Sequence, residues 1–160
     1  MYVLEILVAG YRDVIEQEHM LGQLVSLSGS GSAFMDGIAQ ASSFFDHEVL
    51  YHMKLEEQVL SPVLRRVVPP GRVDAIRQFE SEHKIVENKI KEFGDAARTW
   101  LKSKQEKDRQ EIIICYKNAL QSVVTHARNE SELLPSLIKE YFKSENYKDV
   151  EYRFSQFINM

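Results

Sequence analysis

The chain has 160 residues, 44% of them apolar and 28% charged, values that suit one soluble globular domain and are too apolar for a disordered chain. Its net charge of −4, from 20 Lys and Arg against 24 Asp and Glu, argues against nucleic acid as a partner, because that affinity rests on clustered cations. Cys115 is the one cysteine, which excludes an internal disulfide framework and suits the reducing cytosol.

The longest apolar run, Ile112 to Tyr116, is far shorter than the ~20 residues that span a bilayer. The start Met1-Tyr2-Val3-Leu4-Glu5 lacks the basic stretch, apolar core and cleavage site of a secretory signal. The expectation is a cytoplasmic protein with no membrane partner, folded as one domain over 1–160.

Glycine and proline punctuate the chain at few places. The polar, flexible stretch Ser28-Gly29-Ser30-Gly31-Ser32 predicts a connection, and Pro69-Pro70-Gly71 is the strongest stop. Ser103 to Asp108 is a third break, a charged run with no apolar member. Between the breaks apolar residues recur every three or four positions, as in Leu55, Val59, Pro62 and Val63, or Phe79, Val86, Ile90 and Phe93. Long helices are therefore predicted over 2–27, 33–68, 72–102 and 107–143, with a short tail helix over 145–158. Short connections join antiparallel neighbours, so the predicted fold is all-α, an up-down-up-down four-helix bundle with a short C-terminal helix.

The chain also repeats itself. Ile15-Glu16-Gln17-Glu18-His19 resembles Phe79-Glu80-Ser81-Glu82-His83, and His52-Met53-Lys54-Leu55-Glu56 aligns with His126-Ala127-Arg128-Asn129-Glu130. Two helical hairpins, about 1–68 and 72–143, follow from this, with four of the five histidines at equivalent places. Two residues on neighbouring antiparallel helices sit level when the turn lies midway between them. The midpoint of His52 and His83 falls beside Pro69-Pro70-Gly71, and that of His83 and His126 falls inside the Ser103 to Asp108 break. For His19 and His52 the fit is looser and needs a first connection reaching about Gly37.

Residues four apart share a helix face, so His52/Glu56, His83/Glu87 and His126/Glu130 each present an imidazole and a carboxylate to one point. One such pair alone is an ordinary surface contact worth a few tenths of a kcal/mol. Three pairs, level with one another and flanked by Leu55, Val59, Val123 and Leu133, point instead to buried charge that a cation neutralises. Imidazole nitrogen plus carboxylate oxygen without thiolate suits iron, manganese or zinc. With His19 the candidates number seven, too many for one tetrahedral zinc, so two metals bridged by carboxylates are expected.

Glu18-His19, His52-x-x-x-Glu56-Glu57, Glu82-His83 and His126-x-x-x-Glu130, with Val59-Leu60 then Pro62 and Leu133-Leu134 then Pro135, together resemble the hemerythrin-like, or HHE cation-binding, family over essentially the whole chain. The resemblance implies two iron ions in a four-helix bundle, with manganese or zinc as substitutes. It implies Glu56 and Glu130 as bridges and His19, His52, His83 and His126 as terminal ligands. Oxygen-carrying members have a second histidine four residues after the third-helix ligand. Here Glu87 stands there and is carried as the seventh ligand, which weighs against reversible oxygen carriage. Redox sensing, nitric oxide chemistry and iron handling stay open. The implied partner is a small diatomic (O2 or NO) or peroxide, held among Ile15, Leu55, Val59, Val86, Ile90 and Val123.

Two other readings of the same residues stand beside this one. Glu16-x-x-His19 and Glu80-x-x-His83 with Glu56 and Glu130 would compose a ferritin-like di-iron oxidase or peroxidase site, which leaves His52 and His126 unexplained. An interaction module whose fold is gated by iron is the other. No hydrolytic nucleophile–base set is visible, so a binding protein is expected rather than an enzyme. His47 lies about 140° around the helix from His52 and is left out. Cys115 is expected to be an inert core thiol, and the aromatics of the tail to pack on the bundle or on a second subunit.

Overall fold

The computed structural model describes residues 31–159. Among them there is no strand, and the fold is an all-α helical bundle. The first long segment is already helical at Gly31. It comprises α1 (Gly31–Phe44), a π-helical turn (Phe45–Val49), α2 (Leu50–Leu55), a second π-helical turn (Glu56–Leu60) and α3 (Ser61–Val67). The residues joining these pieces all keep right-handed helical angles, so the five form one rod. A short 3-10 turn (Pro70–Arg72) leads to α4 (Val73–Ser103), followed by α5 (Glu106–Tyr141) and α6 (Ser144–Ile158).

The punctuation works as its chemistry dictates. Val68 and Pro69, each followed by a proline, are pushed to extended angles with ψ of 143° and 156°, and the rod stops at Val67. α4 ends where Lys104 turns left-handed at φ 54°, its N–H capping the Trp100 carbonyl. In the charged break, Ser103 bonds Asp108 and also accepts from the Gln105 N–H.

Two features depart from the sequence expectation. The first connection does not reach Gly37, because α1 runs through it. Phe34, Ile38 and Ala41 recur at helical spacing in the core, and Phe34 meets the Trp100 ring edge-on at 5.0 Å. The rod is also not uniformly α-helical. The Leu50 N–H reaches back five residues to Phe45, and the Ser61 N–H reaches back five to Glu56. The second wide turn stands just ahead of Pro62, which lacks an N–H and crowds the preceding turn. The expected helix over 2–27 lies outside the described residues.

Contacts between the rods run in opposite order along neighbours. Phe45 meets Phe93 while Arg65 pairs with Glu80, and Phe93 meets Tyr116 while Phe79 meets His126. The three rods are therefore antiparallel in succession. α6 lies against the outer side of the first rod, with Phe157 on Tyr51 at 5.5 Å and Asp149 paired with Arg66. Tyr147, Phe154 and Phe157 pack on the bundle, whereas Tyr152 faces solvent.

The apolar core forms two clusters. One contains Phe34, Phe45, Met53, Val86, Phe93, Trp100, Tyr116, Val123 and Ala127. The other contains Leu55, Val59, Leu60, Leu64, Ile76, Phe79, Leu134, Leu137 and Val150. The boundary between them falls at His83 on α4, inside the His52–Glu56 pair on the first rod, and between His126 and Leu133, around Glu130, on α5. Val150 is fully buried and fixes α6 to the second cluster. Val150→Asp is expected to open residues 144–158 to limited proteolysis and to lower the unfolding free energy by roughly 3 kcal/mol in urea titration.

Candidate metal centre

The layer between the clusters is polar and almost dry. His83 and His126 keep 2% of their surface, Glu56 and Glu130 3%, and His52 9%. The His-x-x-x-Glu spacing does locally what the helix repeat demands, aligning His52 with Glu56 and His126 with Glu130 on single faces. His52 Nε2 stands 2.6 Å from Glu56 Oε1, and His126 Nε2 stands 3.5 Å from Glu130 Oε2. The antiparallel packing adds the third imidazole, with His83 Nε2 3.2 Å from Glu56 Oε2. Glu56 thus meets two imidazoles from two rods, one on each oxygen. The His83 and His126 rings lie edge-to-face at 4.6 Å.

These side chains form two groups of possible metal ligands, Glu56 with His83 and His126, and His52 with Glu56 and Glu130. Within each group the donor atoms lie within 4.8 Å of one another, and Glu56 belongs to both. Three imidazoles and two carboxylates, without thiolate, suit a cation that prefers nitrogen and oxygen.

The outer edges of two rings are also occupied. His83 Nδ1 lies 2.8 Å from Glu57 Oε1, and His126 Nδ1 lies 2.9 Å from Glu82 Oε2. An ionised carboxylate only accepts hydrogen bonds, so each Nδ1 carries its proton and donates it. The Nε2 atoms are thereby the ones turned to the layer. Glu82 Oε1 in turn accepts from Asn129 and Gln78, both at 3.1 Å.

Charge is redistributed accordingly. Burial pushes the Glu56 carboxyl up, but its contacts with Glu130, His52 and His83 outweigh that and hold it well below the usual carboxylate range. Burial likewise opposes a charged His83, yet Glu56 and Glu57 raise its imidazole above the ordinary value. His126 goes the other way, lowered first by burial and further by the neighbouring His83 despite its bond to Glu82. Glu82 resists burial through His126, Gln78 and Asn129, and its carboxyl is lowered. The adjacent rings are thus driven in opposite directions, His83 by the two carboxylates beside it and His126 by burial and by His83 itself.

Glu87 does not join this layer. It is exposed and lines a cavity of about 440 Å³ with Lys54, Lys91 and Arg98. The inward face of α4 there is made by Val86 and Ile90. Glu80 is turned to Arg65, so the ferritin-like donor set is not assembled on α4. His47 is exposed, and Tyr51 is turned to the tail helix. Cys115 is buried, its thiol pushed up first by burial and then by Glu111. His19, Ile15 and Glu16 lie outside the described residues. Sequence reasoning gave no role to Glu57 and Glu82. Each stands beside a candidate ligand, but the imidazole it bonds belongs to the next rod, a relation that spacing along one helix does not display.

Fold and donor set together define a helical bundle with a buried imidazole–carboxylate layer fit to hold a cation. Residues 10–138 match the family model described as the hemerythrin HHE cation binding domain, and the chain belongs to that family. No curated protein and no solved structure matches the chain. The tail helix α6 lies beyond the matched residues.

Glu56 balances two imidazoles while keeping 3% of its own surface. Glu56→Ala is expected to destabilise the metal-free protein by roughly 3–5 kcal/mol, as removing one partner of a buried ionic group does, read by chemical denaturation. Glu87→Ala, on an exposed face, is expected to stay within about 0.5 kcal/mol of the parent in the same assay.

Proposed function

We propose that the chain is a non-haem di-iron protein of hemerythrin type that binds or senses a small diatomic, O2 or NO. The observation that carries this reading is the sharing of Glu56 between two groups of buried donors. A carboxylate common to two ligand groups is what a bridged pair of metals requires. His52, Glu56, His83, His126 and Glu130 are the proposed ligands, with His19 added on the strength of the repeat. Glu87 is left out of the set because it faces another cavity.

Iron bound there would supply redox-active metal with room for a small ligand. The chain's own residues define the surroundings. Leu55 and Val59 on one side, and Val86 and Val123 on the other, keep water from the layer. Glu57 and Glu82 hold protons on Nδ1 of His83 and His126, which keeps the Nε2 atoms directed inward. A dry, apolar surround favours an uncharged diatomic over a hydrated anion. Among the described residues no helix is long and apolar enough to cross a membrane. A cytoplasmic location belongs to the proposal, resting on the single cysteine.

Metal content per chain and the absorption spectrum between the near ultraviolet and 500 nm test the reading. About two irons with oxo-bridge charge-transfer bands are expected, and Glu130→Ala or His126→Ala is expected to lower the content to about one or none. One tightly held zinc with a featureless spectrum would overturn the di-iron assignment. Chelation is expected to lower the melting temperature by several degrees, since a ligand that binds only the folded state stabilises it.

A further inference from the structure

The family match and the proposed ligands leave Glu57 and Glu82 without a function, although both sit against buried imidazoles. Their arrangement is directional. Glu57, on the second π-helical turn, reaches across to His83 on α4, and Glu82, on α4, reaches across to His126 on α5. The first rod thus supplies a carboxylate that orients an imidazole of α4, and α4 supplies one that orients an imidazole of α5.

The two carboxylates are not equivalent. The Glu57 side chain is 40% exposed, whereas that of Glu82 is 17% exposed. Glu82 is held on its other oxygen by Asn129 and Gln78. It also lines, with His126, Ser122 and Asn129, a groove of about 560 Å³ between α4 and α5. The Nδ1 edge of His126 thus lies where this groove reaches the core, and Glu82 is the group that occupies that edge. An exposed partner is screened and mobile, while a fixed and largely buried one keeps its orientation and its field.

We propose that Glu82, and more weakly Glu57, are positioning residues that set how tightly the centre retains its metal, by fixing the Nε2 direction of His126 and His83 from neighbouring helices. The proposal rests on the metal-binding reading above. Neither carboxylate belongs to the two donor groups that would hold the metal. Without Glu82 the His126 ring loses the acceptor that holds its proton on Nδ1, and the proton can pass to Nε2, which removes the Nε2 lone pair from the layer.

The test is the rate at which zinc(II)-loaded full-length protein gives up metal to an excess of chelator. It is followed beside the melting temperature of each metal-free variant. Glu82→Ala is expected to speed release about 10–100-fold, the usual scale for losing such a partner. Glu82→Gln is expected to fall between, because its amide oxygen still accepts the Nδ1 proton while the charge is gone. Glu57→Gln is expected to change release less than Glu82→Gln, and Asn129→Ala, which loosens Glu82 without touching a ligand, is expected to speed it measurably. Release unchanged in Glu82→Ala and Asn129→Ala overturns the proposal. So does acceleration that merely follows a loss of melting temperature across the four variants. If the parent protein takes up no metal, the metal-binding reading fails first and this inference falls with it. If the parent binds and the variants retain metal equally well, this inference fails alone.

Discussion

The structure is organised around one costly choice, the burial of imidazoles and carboxylates in a layer that cuts the apolar core in two. Ionised groups moved out of water lose several kcal/mol of solvation each, and only close, well-directed partners offset that. Here the partners are one another. Glu56 serves His52 and His83, while Glu57 and Glu82 take the far edges of His83 and His126. Because the members come from three successive rods, the layer is satisfied only when the rods are in register. Apolar packing alone tolerates sliding of one helix on another, but paired polar atoms at 2.6–3.2 Å tolerate much less. The same layer that is fit for a cation therefore also specifies how the bundle closes.

The second wide turn shows how local sequence shapes that layer. Glu56 and Glu57 are consecutive, and consecutive helical residues point about 100° apart. They nonetheless grip the same imidazole, Glu56 at Nε2 and Glu57 at Nδ1 of His83. The backbone between Glu56 and Leu60 is widened to a five-residue reach, and Pro62 follows at once. The wide turn thus begins at the shared ligand candidate itself and ends just ahead of a proline, which removes one N–H from the helical ladder. Pro135, one residue short of the place in the second repeat that matches Pro62, sits inside an unbroken α5, so the repeat is one of sequence pattern and not of backbone detail.

Much of this was legible in the chain itself. Helix positions followed from apolar spacing and from three breaks, and the helix ends from Val67 onward lie within two residues of the expected bounds, a difference of the size that frayed ends produce. The levelling of His52, His83 and His126 followed from where the turns fall between them. What was not legible has identifiable causes. The i,i+4 rule that picked Glu56 and Glu130 also picked Glu87, because one-dimensional spacing says which residues share a face but not which face turns inward. On α4 the inward direction is set by Val86 and Ile90, and Glu87 falls beside it. Glu57 and Glu82 escaped for the converse reason, since their partners lie on other helices.

The tail helix adds a last constraint. It lies outside the residues matched to the family, yet it packs directly on the turn Glu56–Leu60 and buries Val150 in the cluster beneath the polar layer. Its ion pair from Asp149 to Arg66 and the tilted ring contact of Phe157 with Tyr51 bracket the backbone that carries Glu56 and Glu57. A π-helical turn is a weaker backbone arrangement than the α-helix around it, so it persists only where surroundings favour it. On the outer side of this rod those surroundings are α6. The helix appended beyond the matched domain thus bears on the geometry of the polar layer without contributing a single donor atom to it.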